Sequence, residues 1–178
     1  GLASAYYILN KNNKKLLQQK PLLKVVIDKE IEEIALVDLA ISKQNFVGSK
    51  AIWDPEVISE LFLTQSNLTS IGLSSIGQKI SKIPKNYGLK IQFGKRGKEI
   101  YAPIAPGLIS NITVKNYELF SYGKKYIIKN LIGTIALDGE RELEIYKKNL
   151  IEISLHKSGP FVVDVIESVK QENLSDIN

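Results

Sequence analysis

The 178-residue sequence predicts a mainly β fold, a β-sandwich of many short strands with one or two helices. Three observations carry that expectation. From Asn67 onward the apolar segments are short. They are punctuated by Gly94, Gly97, Gly107, Gly123, Asp138-Gly139 and Ser158-Gly159-Pro160, a spacing too close for alternating βαβ units. The run from Gly133 to Ile145 reads as strand, tight turn, strand. Asp138-Gly139 suits a hairpin because Gly accepts φ > 0 and Asp can bond the local backbone. Thr134, Ile135 and Leu137 before it, and Leu143, Ile145 and Tyr146 after it, fit a pleated, half-buried surface. Finally, 44% hydrophobic and 24% charged residues give a chain of this length enough apolar surface for a real core.

Taken in order, a broken stripe of Ala3, Tyr6, Tyr7, Leu9, Leu16 and Leu17 predicts a helix, or two short ones, from Leu2 to about Gln19. It ends before Pro21, since the residue preceding proline avoids the α region. The period changes at Leu22. Lys24 to Asp28 and Ala35 to Ser42 read as strands, the second apolar enough to be covered on both faces. Asp54-Pro55-Glu56 combines a cap, a first-turn proline and an acid matching the helix dipole. Val57, Ile58, Leu61 and Phe62 follow at helical spacing, so a helix is expected to about Gln65. The remaining candidate strands are 69–75, 88–94, 98–102, 108–115, 117–122, 125–129, 131–137, 141–147, 150–156 and 160–165. The expected organisation is a helical lead-in at 1–20, a sandwich domain at 21–170 and a polar tail at 171–178.

Composition narrows the chemistry. The absence of cysteine removes disulfides and thiolate metal sites. The single histidine, His156, alternates with apolar residues, which suits a surface or strand-edge position, and no metal site is assigned. No apolar run approaches the roughly 18 residues of a membrane span, and no secretory signal is visible. A cytoplasmic protein without a membrane partner is expected. The net charge of +5 is spread over scattered lysines with few aromatics between them. That argues against nucleic acid and fits a phosphorylated small molecule, or solubility alone. A chain that starts at Gly1 and lacks methionine is expected to be a fragment or a processed product.

Three places could carry chemistry. Asp138, Glu140, Arg141 and Glu142 surround one turn, as a solvated tip or as the rim of a polar site. Asp138 is the best single candidate acid, and Arg141 could hold a phosphate bidentately or pair with Glu140, Glu142 or Glu144. Gly72, Ser74 and Ser75 lie in a segment rich in glycine and hydroxyls, which can bring N–H and Oγ groups up to a phosphate or ribose. A strand edge with a bulge accounts for the same residues. Asp38, in an apolar strand, must find a partner or water, or else bear a desolvation cost. A nearby lysine on the next strand is the plain structural alternative.

Read together, the segment from Gly133 to Ile145, Phe46 to Glu56, Ser70 to Gly77, and Ala102 to Gly107 resemble, in order, motifs of the ATP-NAD kinase superfamily. The likeness is to its acetoin-catabolism-protein-X-like branch. The resemblance implies the C-terminal β-domain of such a phosphotransferase, a part that binds nucleotide and makes homo-oligomer contacts. It implies ATP and Mg²⁺ for the full-length protein and NAD or NADP as a possible ligand. Gly72, Ser74 and Ser75 fall where NAD kinases carry Thr-Gly-Ser-Thr-Ala-Tyr, with Ile76 where the family has its aromatic. Ala35-Leu36-Val37-Asp38 falls on an Ala-Leu-Asn-Glu segment that contacts nucleotide, keeping a carboxylate and losing the amide. Pro103 and Pro106 match a Pro-x-x-Pro turn expected to stop sheet pairing. The Gly-Gly-Asp-Gly-Thr loop of the family's N-terminal domain has no counterpart, so no catalytic residue is assigned and this chain alone is expected to be inactive. A non-catalytic nucleotide- or protein-binding module is the alternative.

Overall fold

A computed structural model describes residues 17–43, 57–66 and 71–164. The elements run β1 (Leu17–Gln19), β2 (Leu22–Ile27), β3 (Ile31–Ala35), β4 (Asp38–Ser42), β5 (Ile58–Leu63), α1 (Ser74–Ile80), β6 (Tyr87–Ala105), β7 (Leu108–Ser121), β8 (Lys125–Ile128), β9 (Gly133–Leu137), β10 (Arg141–Ile145), β11 (Ile151–His156) and β12 (Phe161–Val163). The chain divides into two compact units, Pro21–His156 and the flanking segments Gly1–Lys20 with Lys157–Asn178. In the flanking unit β1 and β12 form an antiparallel ribbon, Leu17 opposite Val163 and Gln19 opposite Phe161.

The larger unit is the expected sandwich. A six-stranded antiparallel sheet, in the order β10-β9-β4-β5-β6-β7, packs on a four-stranded sheet, β3-β2-β11-β8. Side chains alternate across each strand, so one set fills the space between the sheets: Leu23, Val25 and Ile27 of β2, Leu39 and Ile41 of β4, and Ile151, Ile153 and Leu155 of β11. Phe62, Phe120 and Tyr126 meet edge-to-face there, with ring centroids 5.3 to 6.0 Å apart, the arrangement that ring quadrupoles favour. The opposite face of the six-stranded sheet is covered too. Ala40, Leu61, Leu63, Leu89 and Ile91 pack with Ile76 of α1 and with Ile100, Ala102, Ile104 and Ile112 from the far half of the β6–β7 hairpin.

Several expectations are corrected. The predicted helix from Asp54 to Gln65 is, in its described part, strand β5. A central strand covered on both faces loses its alternation, and the consecutive buried Leu61-Phe62-Leu63 with Val57 and Ile58 mimics a helical stripe. The predicted strand 69–75 gives way to α1, which starts at Ser74. Ala35 to Ser42 is two strands in two sheets rather than one, and β3 upstream of it was not expected. Pro103 lies inside β6, opposite Ile109, and its missing donor sits at a register shift between Pro103 and Ala105. Within the expected helical lead-in, the described residues Leu17–Gln19 are strand, and the rest, like Phe46 to Glu56, lies outside the described residues.

Candidate functional site

The chain leaves the four-stranded sheet at Ala35 and enters the six-stranded sheet at Asp38. Backbone groups in such a crossover lose their ladder partners and must find others. Here Asp138 supplies them. Its carboxylate accepts from the N–H of Leu36 (2.8 and 3.0 Å), Val37 (2.7 Å) and Asp38 (3.2 Å). The Asp138 N–H in turn donates to the Asp38 carbonyl at 2.9 Å. The carbonyls of the crossover are met by Thr64, whose hydroxyl donates to Leu36 O at 2.7 Å and whose N–H donates to Val37 O at 3.0 Å.

Asp138 can reach the crossover because of its turn. Asp138 and Gly139 both have positive φ, 54° and 68°, and Glu140 N–H closes the turn on Leu137 O at 3.0 Å, the geometry of a two-residue hairpin. Arg141 follows at the start of β10. Its guanidinium pairs with Glu33 at 2.6 Å and donates to the Ile34 carbonyl at 2.5 Å. Of the two alternatives for Arg141, the pairing with Glu140, Glu142 or Glu144 is replaced by one to β3 in the opposite sheet. The hairpin tip is a clasp between the sheets.

Asp38 lies against this clasp. Strand alternation puts it on the side of Ala40, the face that α1 covers, and it stands opposite Leu63 of β5. Among the described residues its carboxylate makes no hydrogen bond and no ion pair, so a lysine does not pair with it. Burial, and then the charge of Asp138, push its pKa from the ordinary 3.8 up to about 6. This half-buried carboxylate is an acceptor with no protein donor among the described residues.

Gly72, Ser74 and Ser75 form the turn into α1 and its first residues. Gly72 has φ 91° and donates its N–H to Pro103 O at 3.0 Å. The Ser75 hydroxyl donates to Gly72 O (2.7 Å) and Pro103 O (3.1 Å), and Ser74 is buried. The Ser75 hydroxyl thus ties the helix to β6. α1 in turn packs Gly77 onto Leu63, the residue opposite Asp38. The structure brings Asp38, Asp138 and Arg141 together, and sets the Gly72–Ser75 turn on the same sheet face as Asp38, one layer out.

Glu33 and Thr64 complete the cluster and were not singled out from the sequence. Each looks like ordinary strand polarity until the crossover places it. Among the described residues no group of three His, Cys, Asp or Glu side chains could hold a metal ion. The Asp38–Asp138 pair does not suit Mg²⁺ either, since the Asp138 oxygens already receive backbone donors.

Residues 21–158 match the family described as the acetoin catabolism protein X C-terminal domain. The chain belongs to this family. The matched span agrees within two residues with the compact unit Pro21–His156. A relative, acetoin catabolism protein X of Cupriavidus necator, is 31% identical over 138 residues, which is 75% of this chain and 38% of that protein. The chain thus spans less than two thirds of the relative's length, and every site residue discussed here lies within the family domain.

Proposed function

We propose that this acetoin catabolism protein X-type domain is the nucleotide-binding part of an ATP-NAD-kinase-like phosphotransferase, and that Asp38 accepts hydrogen bonds from a ribose of the bound nucleotide. The observation that carries the reading is the unpartnered Asp38 carboxylate, held beside Asp138 and pushed up to about 6. Ribose hydroxyls supply the donors such a group lacks, which is why acidic residues so often meet ribose in dinucleotide sites. NAD or NADP fits this chemistry. Among the described residues no side-chain cluster suits Mg²⁺, so the contribution assigned to these residues is binding and orientation, with phosphoryl transfer left to other groups. The resemblance to NAD kinases across four ordered segments supports the same reading, and the relative's name points to acetoin catabolism as its setting.

Calorimetric titration with NAD, NADP and ATP tests the proposal. Dinucleotide binding weakened about tenfold or more by Asp38→Asn is expected, as for loss of a charged hydrogen bond. Incubation with ATP, Mg²⁺ and NAD should yield no NADP above a protein-free control. Absence of dinucleotide binding, or binding indifferent to Asp38→Asn, overturns the assignment. Turnover by the chain alone overturns the view that it lacks the catalytic half.

A further inference from the structure

At the far end of β4 from Asp38, about 17 Å along the strand at ~3.4 Å per residue, two clefts of roughly 270 and 480 Å³ adjoin, sharing Lys43, Ser59 and Phe93 in their walls. They form where β6 breaks its pairing with β7 between Gln92 and Lys98. Phe93 and Lys98 both stand opposite Val114, so residues 94–97 bulge out of the ladder, and Phe93 at the edge of the bulge is half-buried against the opening.

Three cations stand around the opening: Lys43, Lys95 and Lys115. All are exposed, and among the described residues none has a carboxylate within ion-pair distance. Four lysines elsewhere in the domain are paired, in Lys24–Glu32, Lys90–Glu60, Lys124–Glu118 and Lys125–Glu152, so what sets Lys43, Lys95 and Lys115 apart is that they line one opening. Glu60, the acid among the described residues lining the clefts, has its charge paired by Lys90 at 3.2 Å and its Oε1 bonded by Gln92 at 2.9 Å, while its buried Oε2 has no hydrogen-bond donor. Three positive charges, unmatched among the described residues, therefore act on a cleft with low-dielectric walls from Ile58 and Ile112, where field lines concentrate. Thr113 adds a hydroxyl with no partner among the described residues, and Ser59, which donates to Ile41 O at 3.0 Å, keeps its lone pairs free.

We infer that this cleft binds a phosphorylated small molecule, its phosphates between Lys43, Lys95 and Lys115 and its apolar or planar part against Phe93. Lysines supply the point charges for phosphate, and an aromatic ring supplies the flat apolar contact. The inference is independent of the role given to Asp38.

Calorimetry with inorganic pyrophosphate and with ADP, at low and at physiological salt, tests it. Both probes should bind. ADP should bind more tightly than pyrophosphate, and Phe93→Ala should remove that difference. Each of Lys43→Gln, Lys95→Gln and Lys115→Gln should weaken binding about three- to tenfold, and the triple variant should abolish it. A control triple variant, Lys29→Gln with Lys85→Gln and Lys147→Gln, carries the same change in net charge at exposed positions that do not line the cleft and should bind like the parent. Asp38→Asn should also leave pyrophosphate binding unchanged, which separates this site from the ribose acceptor. No binding at millimolar probe, or equal loss in the control variant, overturns the proposal. So does a single-stranded oligonucleotide that outcompetes ADP and loses its binding in the same triple variant, which would make the cleft part of a nucleic-acid surface.

Discussion

Asp38 and Asp138 are a pair of carboxylates with opposite fates. Asp138 receives three backbone donors, whereas the half-buried Asp38 beside it has none among the described residues. Because the folded pKa of Asp38, about 6, lies above the ordinary 3.8, the folded state holds its proton more tightly than the unfolded chain does. For a carboxyl raised in this way, stability falls as pH rises from near 4 to near 6, and is level above that window. The full shift corresponds to at most about 3 kcal/mol. Asp38→Asn should therefore stabilise the protein at pH 7 by roughly 1–2 kcal/mol and leave it unchanged near pH 4, as urea unfolding at the two pH values will show. Stabilisation on removal of a polar group is the signature expected of a site kept for binding. Asp138→Ala should act oppositely. It strips the acceptor from three crossover N–H groups and leaves a non-glycine residue at φ 54°, a loss of about 2–4 kcal/mol in the same assay. Asp38 was visible in the sequence as an acid in an apolar strand. Its partner could not be read there, because the two aspartates are 100 residues apart.

At the scale of elements, legibility followed the turn residues. The Asp138-Gly139 hairpin and its flanking strands stand where the sequence places them, since that dipeptide specifies both turn and register. The β2–β3 hairpin was missed because Asp28 and Lys29 take positive φ without a glycine between them. What holds that turn is distant: the Asp28 carboxylate accepts from Leu150 N–H at 2.7 Å and Asn149 Nδ2 at 2.6 Å, bonds that lower its pKa. β5 was read as a helix because its two buried faces erase the period of two. Glycine at the end of β9 away from the clasp has a structural reason of its own. Gly133 opens β9 at φ 154°, and a Cβ there would collide with the Ser42 carbonyl across the β4–β9 pair. Gly133→Ala must push two central strands apart, since a backbone atom cannot rotate away as a side chain can. It should cost about 3 kcal/mol or more, and thermal unfolding of the variant beside the parent checks this.

At the scale of the whole molecule, one domain carries two separate features. The sheet-crossing clasp places Asp38, and the break in β6 opens the lysine cleft. The sandwich positions both rigidly, since the six-stranded sheet is packed on each face. Among the described residues no helix is long and apolar enough to cross a membrane. Fold class was readable because composition and turn spacing are properties of the whole chain. The site was readable only in part, because it consists of groups that a change of sheet brings together.

The central claim is that the Asp38 carboxylate receives a ligand's hydroxyls, and its own titration tests this most directly. The ¹³Cγ resonance of Asp38, followed by NMR against pH with and without saturating NAD, should give a pKa near 6 in the free protein. Donors to the ionised form hold the charge in place, so the bound value should fall by about a unit or more, with NAD affinity rising through the same pH range. An Asp38 that titrates identically in both states, while NAD is demonstrably bound, would contradict the account.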